Sequence, residues 1–184
     1  MTSLKRHSLT RESGSSLLGS LLEVVLIVGA AFILALLIQQ FVVKPFYIPS
    51  ESMEPTLERG DRVLVSRFVY WFREPEPGDV IVFHPSIAPD DDYIKRVVAV
   101  AGDHVEVKDG DLYVNGEAQV EPYLKEDLIE GEFPEEVIPE GSVFAMGDNR
   151  NRSGDSRVFG PVKLDSIIGE GFLVYWPPAK MGGL

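Results

Sequence analysis

The hydrophobic pattern of the chain changes once, near residue 44. Residues 17–43 are predominantly apolar and carry one formal charge, Glu23, and Val24–Ile38 contains no charged residue. A helix of roughly 20 apolar residues crosses the hydrocarbon core of a bilayer, so residues 17–43 predict a transmembrane helix. The alternative is a cleavable secretory leader, whose apolar centre is roughly 7–15 residues and is followed by small residues. Here the run continues into the bulky segment Phe41-Val42-Val43, which favours a retained anchor.

The charges before this helix indicate which way it points. Lys5, Arg6 and Arg11 precede the apolar run. Positive residues next to a membrane helix tend to stay on the cytoplasmic side. We therefore predict a cytoplasmic tail at 1–16 and an extracytoplasmic domain at 44–184.

Beyond residue 44 the apolar residues form short runs separated by Gly, Pro and Asp. Runs rich in β-branched and aromatic residues are typical of strands. Val105–Val107 and Leu112–Val114 flank Asp109-Gly110, a strong signal for a β-hairpin. No later segment has a sustained helical period, so the predicted fold class is mainly β. Five buried strands are predicted, at Arg62–Val65, Asp79–Phe83, Arg96–Val100, Ser142–Met146 and Ile167–Trp176.

One segment of this domain has little apolar content. Residues 117–140 are acidic and contain several prolines. They predict an excursion from the core, and we expect a cap or insert at about 102–141. The 184 residues otherwise suffice for one soluble core and an anchor.

Composition excludes several classes of function. The net charge of -12 disfavours broad contact with nucleic acid phosphates. The chain has no cysteine, which excludes disulfides, thiolate nucleophiles and cysteine-bound metals. None of the three histidines has a second histidine at metal-binding spacing. No metal and no cofactor are expected.

Three clusters stand out, because each contains more specific residues than a strand or a turn requires. In order, they are Ile48-Pro49-Ser50-Glu51-Ser52-Met53-Glu54-Pro55-Thr56-Leu57, Tyr93-Ile94-Lys95-Arg96-Val97-Val98 and Gly147-Asp148-Asn149-Arg150-Asn151-Arg152-Ser153-Gly154-Asp155-Ser156-Arg157. Their residues, order and spacing resemble the type I signal peptidases, and the resemblance extends from the anchor to Trp176. It implies a β catalytic domain behind one N-terminal membrane helix, which removes signal peptides from exported preproteins.

The resemblance also assigns roles to individual residues. Ser52 matches the nucleophile and Lys95 the general base. Ser50 matches a donor of the oxyanion hole, together with the backbone N–H of Ser52. Ser153 matches the hydroxyl that orients the lysine.

Further roles follow from the same resemblance. Asp155 and Arg157 match a pair that braces the third cluster. Asn151-Arg152 departs from the family's pattern, which more often has Asp-Asn there, so local loop contacts are expected to differ. The resemblance implies shallow pockets for small side chains, commonly alanine, before the cut; packing in the core is the alternative for each of the matching residues. These are Phe46, Ile48, Leu57, Tyr93 and Ile94.

The chemistry of a serine and lysine pair is consistent with this assignment. A serine hydroxyl needs a neighbouring base to become a good nucleophile. A lysine with its ordinary pKa of about 10.4 is neutral in only about one molecule in 2,500 at pH 7. Burial lowers a lysine pKa, and Lys95 lies between Ile94 and the apolar run Val97–Val100. The side chain of Arg96 should point to the opposite face of the strand.

The sequence therefore predicts a single-pass plasma membrane protease whose partners are preprotein signal peptides and the lipid bilayer. Tyr70, Trp71 and Phe72 are hypothesised to enter the membrane interface as aromatic anchors. The alternatives are a related serine–lysine maturation peptidase with another substrate, or an inactive membrane-tethered binding module. Oligomeric state, the source, the particular preproteins and the compartment outside the membrane stay open.

Overall fold

A computed structural model describes residues 14–184 of the chain. The chain divides into two units between Gln40 and Phe41. The predicted cytoplasmic tail at 1–16 lies outside the described residues except for 14–16, which are already helical.

A single apolar helix, α1 (Gly14–Phe41), precedes the strands. Its segment Leu18–Leu36 has a mean hydropathy of 2.4, and none of it is buried against protein. Among the described residues it is the one helix that is long and apolar enough to cross a bilayer. The predicted anchor at 17–43 extended too far, because Val43 already pairs with Ser66 in a sheet.

The second unit is built from twelve strands within the described residues, and every pairing between them is antiparallel. In chain order they are β1 (Val43–Tyr47), β2 (Arg62–Ser66), β3 (Val80–Phe83), β4 (Tyr93–Val100), β5 (His104–Lys108), β6 (Asp111–Val114), β7 (Glu117–Ala118), β8 (Phe133–Val137), β9 (Ser142–Met146), β10 (Val162–Lys163), β11 (Ile167–Trp176) and β12 (Gly182–Gly183). A short helix, α2 (Ser156–Phe159), follows β9.

These strands form two sheets. The larger has the order β1-β2-β11-β3-β4-β9-β10, with β12 paired to β11. The smaller has the order β7-β6-β5-β8 and is formed by residues within the predicted insert at 102–141. The mainly β fold class predicted from the sequence is confirmed.

Local chemistry explains the elements that the sequence predicted. All residues of β3 and β9 are buried, as their continuous apolar runs require. Asp109 and Gly110 have φ values of 54° and 89°. A two-residue hairpin turn of type I′ needs positive φ at both positions. The predicted hairpin is therefore formed by β5 and β6.

The core holds the first polar cluster in place. Met53 and Leu57 come from the irregular segment after β1, and both are fully buried against Val63 and Val65 of β2. Burying one such side chain stabilises a fold by about 1.5–3 kcal/mol. Leu57 N–H also donates to the Met53 carbonyl at 2.8 Å. The segment between β1 and β2 is consequently a rigid turn instead of a loose loop.

Candidate active site

Ser52 lies in this turn with only 7% of its surface exposed. The two ends of the turn are joined, because Ile48 N–H donates to the Asp61 carbonyl and Gly60 N–H donates to the Ile48 carbonyl, both at 2.9 Å. Ser52 precedes the buried Met53, so its backbone cannot move without disturbing the core. Its hydroxyl is directed toward β4.

Lys95 on β4 meets this hydroxyl. Lys95 Nζ donates to Ser52 Oγ at 2.8 Å and to the carbonyl of Ile94 at 2.8 Å. The lysine is 4% exposed. Burial lowers the pKa of Lys95 to about 8, while the carboxylates of Asp155 and Asp148 act in the opposite direction. The site thus combines a confined hydroxyl with an amine that gives up its proton near neutral pH.

Arg96 points away from Lys95 and connects β4 to the third polar cluster. Its guanidinium donates to both oxygens of Asp148, at 2.9 and 2.7 Å. Thr56 Oγ1 donates to the same carboxylate at 2.6 Å. Thr56, Arg96 and Asp148 lie in the turn, in β4 and in the third cluster. The hydrogen bonds among them therefore hold these three segments together.

The third cluster is folded around a second carboxylate. Asp155 accepts hydrogen bonds from the Gly147 N–H at 3.1 Å and from Arg157 Nε and Nη2 at 2.9 and 2.8 Å. It also caps the N-terminus of α2 by accepting from the Arg157 N–H. Asp155 is fully buried, so Arg157 supplies the charge that a buried carboxylate needs.

Ser153 lies beside this arrangement without the contact that the family resemblance implies. Its Oγ is buried and has no hydrogen-bond partner among residues 14–184. Among the described residues no hydrogen bond joins Ser153 to Lys95, which donates to Ser52 and to the Ile94 carbonyl. A Cβ at Gly147 would collide with Ser153 Oγ and the Ser52 carbonyl, which places Ser153 close to the backbone of the serine turn.

A groove of about 470 Å³ opens above the serine and the lysine. Ser50 Oγ lies 3.3 Å from Ser52 Oγ at this opening. The groove is lined by Pro49, Ser50, Ser52, Asp91, Asp92, Tyr93, Ile94, Lys95, Arg152 and Gly154.

Two of the five residues predicted to form the substrate pocket line the groove. Tyr93 and Ile94 line the groove. Ile48 and Leu57 are 1% and 0% exposed in the core, so they pack inside and cannot contact a substrate. Phe46 is partly buried against the same core and is not among the groove residues. For Ile48 and Leu57 the packing alternative holds, because the apolar side chains of the turn point inward and keep it rigid.

Sequence reasoning missed several residues around the groove. Asp91, Asp92 and Arg152 form parts of its rim. Asp148 was given no role although it lies inside the third cluster. A signal existed for Asp148, because an acidic residue in one polar cluster and Arg96 in another suggest an ion pair. No signal in the sequence identifies the rim residues.

Neither histidine of the described residues belongs to this site. His84 pairs with Asp92 at 3.3 Å and His104 with Glu135 at 2.6 Å, all on the surface. Within residues 14–184, no group of three histidine, cysteine or acidic side chains is arranged to hold a metal ion.

Comparison with known families decides the assignment. Residues 21–176 match the family model described as signal peptidase, peptidase S26. The chain belongs to this family. It is therefore a serine peptidase of the signal peptidase I type.

Individual relatives agree with the family model. A probable signal peptidase I-1 of Synechocystis sp. is 43% identical over 161 residues, covering 84% of this chain and 82% of that protein. Signal peptidase IB of Staphylococcus aureus is 41% identical over 174 residues, covering 85% and 90%. Thylakoidal processing peptidase 1 of Arabidopsis thaliana is 40% identical over 161 residues, covering 82% of this chain and 47% of that protein. A crystal structure of a signal peptidase I from Enterococcus faecalis aligns with a TM-score of 0.48 and 33% identity, covering 53% and 97%.

The close approach at Gly147 leads to a prediction about this signal peptidase. Gly147→Ala should reduce kcat by about 100-fold or more. The new methyl group would overlap the Ser52 carbonyl and displace the Ser52 backbone, and small displacements of a reacting group cost large factors in rate. The measurement is the rate of cleavage of a preprotein by the purified full chain. Gly183→Ala is the control, since its Cβ would approach nothing closer than 3.9 Å. Equal cleavage rates for Gly147→Ala and Gly183→Ala would contradict the close approach of residue 147 to the Ser52 carbonyl.

Proposed function

We propose that the chain is a membrane-bound endopeptidase that removes signal peptides from exported preproteins, with Ser52 as nucleophile and Lys95 as general base. The observation that carries this proposal is the 2.8 Å contact between Lys95 Nζ and Ser52 Oγ, two groups that are both at least nine-tenths buried. Serine and lysine pairs can replace the more common serine and histidine pair. The family assignment supports the substrate class.

The reaction begins with transfer of the serine proton. Ser52 Oγ attacks the scissile carbonyl carbon while its proton passes to the neutral Lys95 Nζ. The hydroxyl of Ser50 and the N–H of Ser52 donate to the carbonyl oxygen as it becomes negative. The Lys95 ammonium then gives the proton to the departing peptide nitrogen, which leaves an acyl group on Ser52. Water activated by neutral Lys95 hydrolyses this ester.

The protonation state of Lys95 supports the role of base. With a pKa of about 8, roughly one Lys95 in ten is neutral at pH 7. That fraction is over a hundred times larger than for a lysine in water. Asp155 and Arg157 would support the pair by bracing the third cluster. Ser153 would orient Lys95 through its Oγ, which is buried and has no hydrogen-bond partner among residues 14–184.

The groove is consistent with recognition of small side chains. Tyr93 and Ile94 line it next to the catalytic pair, so residues before the cut would lie against an apolar wall. We propose that alanine or another small residue is required there. A serine–lysine maturation peptidase with another substrate remains the second candidate within enzymes. An inactive binding module is disfavoured by the short Lys95–Ser52 contact.

We propose that helix α1 is a retained anchor in the plasma membrane, with the N-terminus in the cytoplasm and the catalytic domain outside. The apolar segment Leu18–Leu36 supports this placement. So do the positive charges that precede it in the sequence.

Two exposed aromatic side chains of the second unit support contact with lipid. Trp71 and Phe72 are 76% and 80% exposed, and amphipathic or apolar aromatic side chains are enriched where a protein meets the membrane interface. Tyr70 does not share this surface, because its hydroxyl donates to Asp79 at 3.1 Å. The hypothesis of a membrane-facing segment therefore keeps Trp71 and Phe72 and loses Tyr70.

Cleavage of a preprotein with an Ala-x-Ala site tests the proposed function. Wild type should cut it, while Ser52→Ala and Lys95→Ala should each lose about 10³-fold or more in rate, since each removes one half of the pair. Lys108→Ala is the matched control, because Lys108 is exposed on β5. Similar processing by all four chains would refute the assignment.

The pH profile tests the base independently. Lys95 acts only after losing its proton, so activity should fall as pH drops through its pKa of about 8. We expect kcat/KM to rise about tenfold per pH unit between pH 6 and 7.5 and to level off above about 8. The substrate should carry no group that titrates in this range. A flat profile down to pH 6 would exclude Lys95 as the base.

Membrane contact of Trp71 can be measured by fluorescence of the full chain in liposomes. The chain has two tryptophans, so Trp176→Phe isolates Trp71, and Trp71→Phe isolates Trp176 as the control. Lipids with quenchers near the headgroup should quench Trp71 strongly and Trp176 weakly, because Trp176 lies at the opposite end of β2, paired with Arg62. If these lipids do not quench the fluorescence of Trp71, Trp71 is not an aromatic anchor.

A further inference from the structure

A segment outside the catalytic clusters is attached to them by many polar contacts. Residues 119–130, called the strap here, connect β7 to β8 without regular structure. Both ends are fixed on the smaller sheet: Gln119 N–H donates to the Leu112 carbonyl at 2.9 Å, and Ile129 N–H donates to the Gly110 carbonyl at 2.8 Å. Between these points the strap lies across residues 147–152.

A buried ion pair is the strongest of these contacts. Glu121 accepts from both terminal nitrogens of Arg150, at 2.6 and 2.7 Å. The two side chains are 6% and 0% exposed. Arg150 Nε also donates to the Gly147 carbonyl at 3.0 Å. A guanidinium buried to this degree needs a carboxylate partner, and the strap supplies it.

Asn151 provides a second contact that depends on its amide. Asn151 Nδ2 donates to the Leu128 carbonyl at 3.0 Å, while its Oδ1 accepts from the Glu130 N–H at 2.7 Å. This pairing needs one donor and one acceptor on the same side chain. An ionised aspartate at this position would offer acceptors only. The amide of Asn151 therefore matches the donor and the acceptor that the strap presents.

The strap also reaches the other two catalytic segments. The Tyr123 ring lies 4.2 Å from the Arg96 guanidinium on β4. Lys125 Nζ donates to Glu54 in the serine turn at 2.7 Å. The strap consequently contacts all three segments that converge on Ser52 and Lys95.

The cluster beneath the strap holds the backbone of Ser52. Asn149 N–H donates to the Ser52 carbonyl at 3.1 Å, and Asn149 Nδ2 donates to the Glu51 carbonyl at 3.0 Å. Gly147 leaves no room for a side chain against the same Ser52 carbonyl. Any loosening of residues 147–152 is therefore transmitted directly to the nucleophile.

We propose that the strap is a positioning element for the catalytic pair. Its Glu121 binds Arg150 and its backbone at Leu128 and Glu130 binds Asn151, and these contacts hold residues 147–152 against the Ser52 backbone. This inference rests on the proposed function, because it assumes that Ser52 and Lys95 carry the reaction. Neither strap contact reaches the substrate groove, so Glu121 and Asn151 act only through the cluster.

Loosening the cluster should also alter Lys95. The groups that act on the lysine charge are its own burial, which lowers the pKa, and the carboxylates of Asp155 and Asp148, which raise it. The ring of Tyr93 lies 5.5 Å from Nζ. Burial outweighs the two carboxylates, and water entering beside a displaced cluster would weaken it. The pKa of Lys95 should then rise toward its ordinary value.

Asn151→Asp tests the strap with little change in shape. It removes the donor to Leu128 and keeps the acceptor for Glu130. In the full chain we expect kcat to fall about tenfold with KM for the preprotein within about twofold, and the acid limb of the kcat/KM profile to move up by about half a pH unit or more. Asp127→Asn is the matched control, since Asp127 is an exposed strap residue and undergoes the reverse exchange. It should behave as wild type.

A second set of variants separates positioning from stability. Glu121→Gln leaves the buried Arg150 without its charge partner, which destabilises the whole fold. Tyr123→Phe is the milder second variant, because it keeps the ring on Arg96 and deletes only the hydroxyl that donates to Glu121 at 2.7 Å. Val105→Ala in the smaller sheet provides a purely structural comparison, with a lower Tm and an unchanged acid limb. If Asn151→Asp changes Tm like Val105→Ala and leaves the acid limb in place, or has wild-type kinetics, the proposal is wrong.

Chemical labelling of Lys95 keeps this test independent of turnover. The rate at which acetic anhydride modifies Lys95, followed against pH by mass spectrometry, reports its pKa whether or not the chain cleaves a preprotein. A higher pKa in Asn151→Asp than in wild type would support the strap even if wild type failed to cut the substrate, in which case only the proposed function fails. Cleavage by wild type together with identical labelling curves would overturn the strap and leave the function intact.

Discussion

The site depends on the burial of the Lys95 ammonium group away from water. Lowering the pKa of Lys95 from 10.5 to about 8 means that the folded chain disfavours the charged lysine by about 3 kcal/mol. The sign follows from linkage: the cost is complete below about pH 8 and disappears above the ordinary pKa, where folded and unfolded chains are both neutral. Burial of apolar residues such as Met53, Leu57 and Ile94 offsets this cost. The same packing that stabilises the domain therefore lowers the pKa of the residue proposed as its base.

Two carboxylates near the lysine would undo this effect if they were unpaired. Asp148 and Asp155 are both fully buried, and both favour the charged form of Lys95. Arg96 neutralises the first and Arg157 the second through two hydrogen bonds each. The arginines thus let the carboxylates organise the backbone around the site while limiting their pull on the lysine proton. This explains why the catalytic pair is surrounded by charge although its own environment must be apolar.

Much of this architecture follows from local features of the sequence. The apolar run at 17–43 predicted the helix, and short β-branched runs predicted the strands, because both patterns depend only on neighbouring residues. Asp109-Gly110 determined a hairpin, since few other residue pairs adopt two positive φ values. The three polar clusters indicated the family and named Ser52 and Lys95 as the pair, and the two residues lie within hydrogen-bonding distance. Their catalytic roles remain the subject of the proposal.

Only the tertiary structure decided which way side chains point and which distant segments meet. Ile48 and Leu57 pack into the core instead of lining a pocket, and Ser153 makes no bond to Lys95. The pairing of Asn151 with the strap was not visible in the sequence either. The physical reason is the same in each case: spacing along a chain sets the face of a helix or strand, whereas contacts between irregular segments depend on how the whole core packs. The sequence by itself determined the elements and the reactive residue types, and the fold determined their geometry.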